Sequence, residues 1–265
     1  MRLGLNLATI MTTPLPAALE AAGSAGFTLV ELRAPAMAAL FTETTPAALA
    51  SRIAAAGLQT LSVNSVEGFD LPGPAAGESF RRQAEWAAAL GCPHVIVVPA
   101  RSAEAAARPD RLQRASEALA RLDPLARAAG VRMGVEFLGF ADSTVRSPAE
   151  AEQVAAASEH ADLVVDTFHL GLSGGGLGGS AAGRLAIVHL ADLRPGVEPS
   201  QAVDADRCLP GEGSLAIAAT LAGLAGAGWD GPASVELFDP GLWSLDPFAV
   251  AARARAAAAA VLPAR

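Results

Sequence analysis

Leu163-Val164-Val165-Asp166-Thr167-Phe168-His169 is a run of apolar β-formers that stops abruptly at a carboxylate and an imidazole. Such a run reads as a buried parallel strand that delivers polar groups to its carboxyl end. Three other stretches have the same shape. Met133-Gly134-Val135-Glu136-Phe137 carries Glu136, Ala186-Ile187-Val188-His189-Leu190 reaches His189, and Ser234-Val235-Glu236-Leu237-Phe238 carries Glu236. In a parallel sheet, Glu136, Asp166, His189 and Glu236 would converge on one place.

Outward from these stretches, strand-like and helix-like segments alternate along the chain. Strands are expected at Leu3 to Ala8, Thr28 to Arg33, Gln59 to Asn64, His94 to Pro99, Arg132 to Phe137, Asp162 to Thr167, Ala186 to Asp192 and Ala233 to Phe238. Between them come helices near Pro14 to Ala25, Pro46 to Ala56, Glu78 to Leu90, Asp110 to Ala129, Pro148 to Ser158, Gly179 to Gly183 and Ser214 to Ala227, with a last one at Asp246 to Leu262. Gly26, Gly57, Gly91 and Gly130 stand where a helix is expected to close. Eight such units close most simply into a (β/α)8 TIM barrel with a parallel eight-stranded sheet, in one domain over residues 1–265. A doubly wound open sheet is the alternative. Against it, polar residues stand at strand ends throughout the chain, including Asn6, Glu31, Arg33 and Asn64, and do not cluster at one switch point. Those four are secondary candidates, since each could equally be a polar residue ending a strand at solvent.

Composition narrows the chemistry. The formal net charge of −8 gives no basic surface for a phosphate backbone, so nucleic acid is not an expected partner. All 19 basic residues are arginine, and the absence of lysine removes Schiff-base chemistry and the P-loop lysine. No apolar run approaches the roughly 18 residues of a membrane span, and Met1-Arg2 leads straight into a brief strand-like segment without a signal-like apolar region. A cytoplasmic protein with no membrane partner is expected. Cys92 and Cys208 are expected at opposite ends of the barrel, as unpaired thiols.

Glu136, Asp166, His189 and Glu236 lie on four consecutive strands, and barrel strands present their carboxyl ends to a shared mouth. Carboxylates so close repel one another and call for a cation. With a neutral imidazole added, the donor set suits one divalent metal ion, Zn, Mn, Co or Mg. His169, three residues beyond Asp166, could hydrogen-bond a substrate oxygen or act as an acid. Arg207 sits in a turn-rich loop, Asp206-Arg207-Cys208-Leu209-Pro210-Gly211-Glu212-Gly213, expected over the same mouth, where it could fix a hydroxyl or an oxyanion. Glu212 reads as turn chemistry. Gly174 to Gly179 formally meets a dinucleotide pattern but lacks the short strand-to-helix turn, and reads as a flexible loop. His94 and His160 fall on the face away from the mouth.

With these residues in hand, the chain resembles the xylose isomerase-like superfamily of metal-dependent barrels, and within it the inosose (2-keto-myo-inositol) isomerase branch. The likeness runs through Leu5-Asn6-Leu7-Ala8-Thr9, Val30-Glu31-Leu32-Arg33, Val135-Glu136-Phe137-Leu138-Gly139, Asp166-Thr167-Phe168-His169, His189-Leu190-Ala191-Asp192, Asp206-Arg207 with Pro210-Gly211-Glu212-Gly213, and Ser234-Val235-Glu236-Leu237-Phe238. The resemblance implies that Glu136, Asp166, His189 and Glu236 are metal ligands and that His169 and Arg207 contact substrate. It implies an isomerase or epimerase of a small-molecule polyol ketone, with Glu136 or Glu236 moving the proton; a dehydratase of the same superfamily and a non-catalytic sugar-binding barrel are the alternatives. A homo-oligomer is left open. Endonuclease IV-type members resemble the same strands but use additional histidines, whereas this chain has four in all and carries Cys208 where that pattern has one.

Overall fold

The computed structural model describes residues 1–177 and 183–263. The strands are β1 Leu3–Asn6, β2 Leu29–Arg33, β3 Gln59–Glu67, β4 His94–Val98, β5 Arg132–Glu136, β6 Ala161–Asp166, β7 Leu185–Leu190, β8 Asp192–Leu193, β9 Arg207–Cys208 and β10 Ala233–Val235. Eight of them close into a parallel barrel in the order β1-β10-β7-β6-β5-β4-β3-β2, while β8 and β9 form a small antiparallel pair beside it. Around the barrel run α1 Leu15–Ser24, α2 Ala34–Leu40, α3 Pro46–Ala55, α4 Ala75–Ala89, α5 Ala103–Ala106, α6 Arg111–Ala129, α7 Pro148–Ala155, α8 Thr167–Ser173, α9 Ile217–Gly226, α10 Pro240–Trp243 and α11 Pro247–Val261. The expected (β/α)8 architecture is therefore the observed one. Gly130, with φ of 68°, closes α6 in the left-handed conformation that a side chain would resist.

Alternation along each strand sorts the core into two layers. Val164 and Ile187 belong to an inner cluster with Leu29, Leu61, Ile96 and Val98, while their neighbours Leu163, Val165 and Val188 pack outward with the helices. Because side chains repeat every second residue, Asp166 and His189 lie one step above Val164 and Ile187 on the inner face. The same parity sets Asn6 above Gly4, Glu31 above Leu29, Glu136 above Gly134 and Glu236 above Ser234. Gly134 leaves room for the plug: a Cβ there would come within 2.7 Å of Ile96 Cδ1 and 2.9 Å of Val164 Cγ2, and those methyl groups would have to shift. An apolar plug thus fills the barrel below a polar layer, and each plug side chain contributes about 1.5–3 kcal/mol relative to exposure.

The departures from expectation concentrate at the carboxyl ends. The first strand was expected to reach Ala8 but ends at Asn6, whose side-chain oxygen accepts the Ala8 N–H at 3.0 Å and turns Leu7–Ile10 into a 3-10 helix. The seventh breaks at Ala191, because β8 leaves the barrel to pair with β9. The last stops at Val235, one residue before Glu236, although the Glu236 N–H still reaches the Leu190 carbonyl. The helix expected near Gly179 to Gly183 lies mostly outside the described residues, as do Gly178 and Gly179 of the glycine run. The helix that follows β6 is instead α8, opened by Asp166 Oδ1 accepting the Phe168 and His169 N–H groups. Among the described residues, no helix is long and apolar enough to cross a membrane. Cys92 and Cys208 are both buried free thiols.

Candidate active site and metal centre

The polar layer is built around His189. The side chain is fully buried, and each ring nitrogen faces carboxylates: Nδ1 stands 2.9 Å from Glu136 Oε1 and 3.1 Å from Glu236 Oε2, and Nε2 stands 3.0 Å from Glu31 Oε2. Pairing of Asp166 with His189 across β6 and β7 brings the fourth group alongside. One donor atom from each of Glu136, Asp166, His189 and Glu236 lies within 4.8 Å of every other. Donors about 2.1 Å from one ion stand about 3–4 Å apart, so a small contraction would make these four a first coordination shell. The four ligand positions expected from sequence thus come together.

The electrostatics ask for a cation. The buried carboxylates of Glu31, Glu136, Asp166 and Glu236 outnumber the buried cations, Arg207 and a protonated His189. Burial disfavours charge on the His189 imidazole, yet Glu236, Glu31 and Glu136 together raise its pKa well above the ordinary value. Glu136 moves the other way from a normal carboxylate: burial, then the neighbouring Glu236, pushes it up to about 7 against the pull of His189. An ion would relieve both by replacing the proton on Nδ1 and offsetting the excess negative charge. On donor chemistry, spacing and charge, the residues fit a divalent metal.

Local devices hold Glu236 and the end of the strand that carries His189. The Thr9 hydroxyl donates to the Val235 carbonyl at 3.2 Å and accepts the Leu237 N–H at 3.1 Å, clamping the backbone on both sides of Glu236. Thr167 does the same at the end of β7, donating to the Ala191 carbonyl at 2.7 Å and accepting its N–H at 3.0 Å. Glu236 Oε1 accepts the Asn6 amide at 2.7 Å and the Asn64 amide at 3.2 Å. Asn6 and Asn64, secondary candidates by sequence, are therefore part of the site. Glu31 joins it as well, and Arg33 lies near enough to Glu236 and Glu67 to interact with their charges.

Arg207 is not a loose surface arginine. Its side chain is 1% exposed, one guanidinium nitrogen donates to Asp166 Oδ2, the other donates to His169 Nε2 at 3.0 Å and to Asp204 at 3.3 Å. The guanidinium stacks 4.5 Å from the Phe168 ring and 5.3 Å from that of Phe238. Burial opposes its charge, but Asp166 foremost, then Asp204 and Glu236, hold it protonated. The loop that carries it is organised by buried Asp192, which accepts the N–H groups of Leu193, Gly211 and Leu215 at 2.8–3.0 Å. Because a guanidinium only donates, His169 Nε2 is an acceptor and its proton belongs on Nδ1. Burial, reinforced by Arg207, drives the His169 pKa down to about 3, so this imidazole is neutral and serves as a hydrogen-bond donor, not as a strong acid.

Above the polar layer opens a cavity of about 430 Å³ whose walls include Glu136, Glu236, His169 and Arg207 on the floor side and Leu71, Arg101, Phe140 and Asp204 toward the rim. His94 pairs with Asp162 and His160 with Asp123, in neither case near this cavity. Glu212 is exposed, 3.7 Å from Arg253, consistent with a turn residue. A larger hollow of about 550 Å³ lies between α8 and α9, lined by apolar side chains, glycines and the two threonines Thr167 and Thr220, with no titratable group.

The sequence model of the xylose isomerase-like TIM barrel family matches residues 19–261. The inosose isomerase of Halalkalibacterium halodurans is 27% identical over 171 residues, covering 63% of this chain and 60% of that protein. The inosose isomerase of Bacillus subtilis is 25% identical over 170 residues, covering 63% of this chain and 61% of that protein. The matched region thus spans about three fifths of the length of these curated relatives. Among solved structures, an IOLI protein crystallised with a bound zinc atom superimposes with a TM-score of 0.90 at 22% identity, covering 99% of this chain and 98% of that one. An L-ribulose 3-epimerase gives a TM-score of 0.78 at 22% identity over 98% of this chain and 94% of that one. At such identities, the structural likeness speaks for the fold.

Proposed function

This chain belongs to the xylose isomerase-like TIM-barrel family, and from that premise we propose that it is a divalent-metal-dependent isomerase or epimerase of an uncharged polyhydroxy ketone, with an inosose the favoured substrate. The observation that carries the reading is the convergence of Glu136, Asp166, His189 and Glu236 at the floor of an open cavity. Those four residues would hold the ion. When bound, it supplies Lewis acidity toward a ketone oxygen, which makes the hydrogen on the neighbouring hydroxyl-bearing carbon acidic enough to remove.

The chain's own residues do the rest. Glu136 is the better placed proton carrier, because Oε1 faces His189 while Oε2 has no hydrogen-bond partner among the described residues and the side chain lines the cavity. Glu236 has one oxygen occupied by the Asn6 and Asn64 amides, which fixes its orientation. Glu136 removes the carbon-bound proton and returns it to the former carbonyl carbon for isomerisation, while the hydroxyl proton passes to the old carbonyl oxygen. Return to the original carbon from the opposite face, which requires a second proton carrier such as Glu236, gives epimerisation. His169 offers its Nδ1–H to a substrate oxygen, and Arg207 holds both His169 and Asp166 in place.

Incubation of the metal-loaded protein with inososes and ketohexoses in deuterated water tests the reading. Exchange of a carbon-bound hydrogen with formation of an isomer or epimer is expected, silenced by a chelator. Loss of water with a new ultraviolet chromophore would assign a dehydratase instead, and tight binding without exchange would assign a sugar-binding barrel.

A further inference from the structure

We propose that Glu31 is the positioning residue of the metal centre, fixing His189 with its proton on Nε2 so that Nδ1 is the atom presented to the ion. The inference rests on the functional reading above and adds to it a residue on β2 that does not line the cavity and is not one of the four clustered donors, but contacts one of them, His189. His189 has carboxylates on both sides, so its own position does not tell which nitrogen binds. The two faces differ, however. Nδ1 faces Glu136 and Glu236, which both line the cavity; Nε2 faces Glu31, which does not.

Glu31 is itself built into place. Its side chain is fully buried, and its Oε2 takes the Ser62 hydroxyl at 2.6 Å as well as His189 Nε2 at 3.0 Å. The Ser234 hydroxyl stands next to the carboxylate without completing a hydrogen bond, which leaves Oε1 buried and unpartnered. A buried carboxylate with one oxygen unserved carries a desolvation penalty that an apolar side chain would not. As structure alone, the arrangement is a poor bargain. It makes sense as a carboxylate that accepts the spare N–H of a metal-bound imidazole, setting the tautomer and ring orientation and raising the basicity of the ligating nitrogen. Strand register supports this: Glu31 pairs with Asn6 across β1 and β2, and Asn6 in turn donates to Glu236, so the two neighbouring strands brace two of the four donors from within the polar layer.

Zinc affinity of the full chain, measured by competition with a chromophoric chelator, tests the inference in wild type, Glu31→Gln and Ser62→Ala, alongside ring-nitrogen NMR of the zinc-loaded wild type. Glu31→Gln is expected to bind zinc about 10–100-fold more weakly while remaining folded, and Ser62→Ala to lose a smaller factor. The NMR spectrum should show His189 protonated at Nε2 and bare at Nδ1. A folded Glu31→Gln with wild-type zinc affinity, or a zinc-loaded wild type with the proton on Nδ1, overturns the inference alone. A folded wild type that binds no divalent ion overturns the functional reading as well. Should Glu31→Gln not fold, the wild-type spectrum decides.

Discussion

Replacing Arg207 by methionine separates what this residue does for the fold from what it does for the ion. In the metal-free protein the change strips the partner from Asp166, a carboxylate with no exposure, and loss of one member of a buried ion pair costs about 3–5 kcal/mol. Stacking on Phe168 and Phe238 adds about 0.5–2 kcal/mol, part of which the methionine sulfur recovers. With the ion in place Asp166 has another cation, so the loss should shrink to at most about 2 kcal/mol, set by the stacking alone. By linkage the ion-pair part, about 3–5 kcal/mol, must appear as tighter metal binding by the variant, roughly 150- to 5,000-fold. The assay is urea unfolding followed by tryptophan fluorescence, for wild type and Arg207→Met, in excess chelator and in saturating zinc. Equal destabilisation in both conditions would refute the premise that Arg207 and the ion share Asp166. A loss below about 1 kcal/mol in chelator would refute the assignment of a buried, energetically coupled pair.

Other outcomes follow from the same geometry. Glu136→Gln should leave the protein folded and, assayed in saturating zinc, lower turnover by at least about a hundredfold, since the amide cannot accept the carbon-bound proton; steady-state rates near wild type would remove Glu136 from the chemistry. Apparent zinc affinity should rise with pH between about 6 and 8, up to about tenfold per unit for each proton displaced, because His189 is raised well above its usual range and Glu136 lies at about 7. The stability of the metal-free protein should run the opposite way. Both groups bind protons more tightly folded than unfolded, so stability present in acid is lost as pH climbs through their folded values, and denaturation in chelator at several pH values checks the sign. Gly213→Ala would place a Cβ 2.3 Å from both Asp192 Oδ1 and the Leu193 carbonyl, and should cost about 1–3 kcal/mol together with disturbance of the Arg207 loop, read as a drop in melting temperature.

Much of this protein is written locally. A run such as Leu163 to Asp166 has few ways to satisfy its backbone other than as a buried parallel strand, and glycines such as Gly130 mark where helices must stop, so the alternation that closes the barrel is legible along the chain. The four clustered donors are legible for the same reason: each stands two residues above an inward-facing position, and period-two alternation carries it to the mouth. What the sequence leaves undetermined depends on partners far away along the chain. Asn6 and Glu31 look like strand-end polar residues until closure of the barrel sets one 2.7 Å from Glu236, 230 positions later, and the other 3.0 Å from His189, 158 positions later. Arg207 reads as a loop residue over the mouth, and only the β8–β9 pair and Asp192, by folding its loop inward, show that it also lies against Asp166 and His169. Burial and charge then decide protonation, raising Glu136 and lowering His169, and those are properties of the assembled interior that no residue carries by itself.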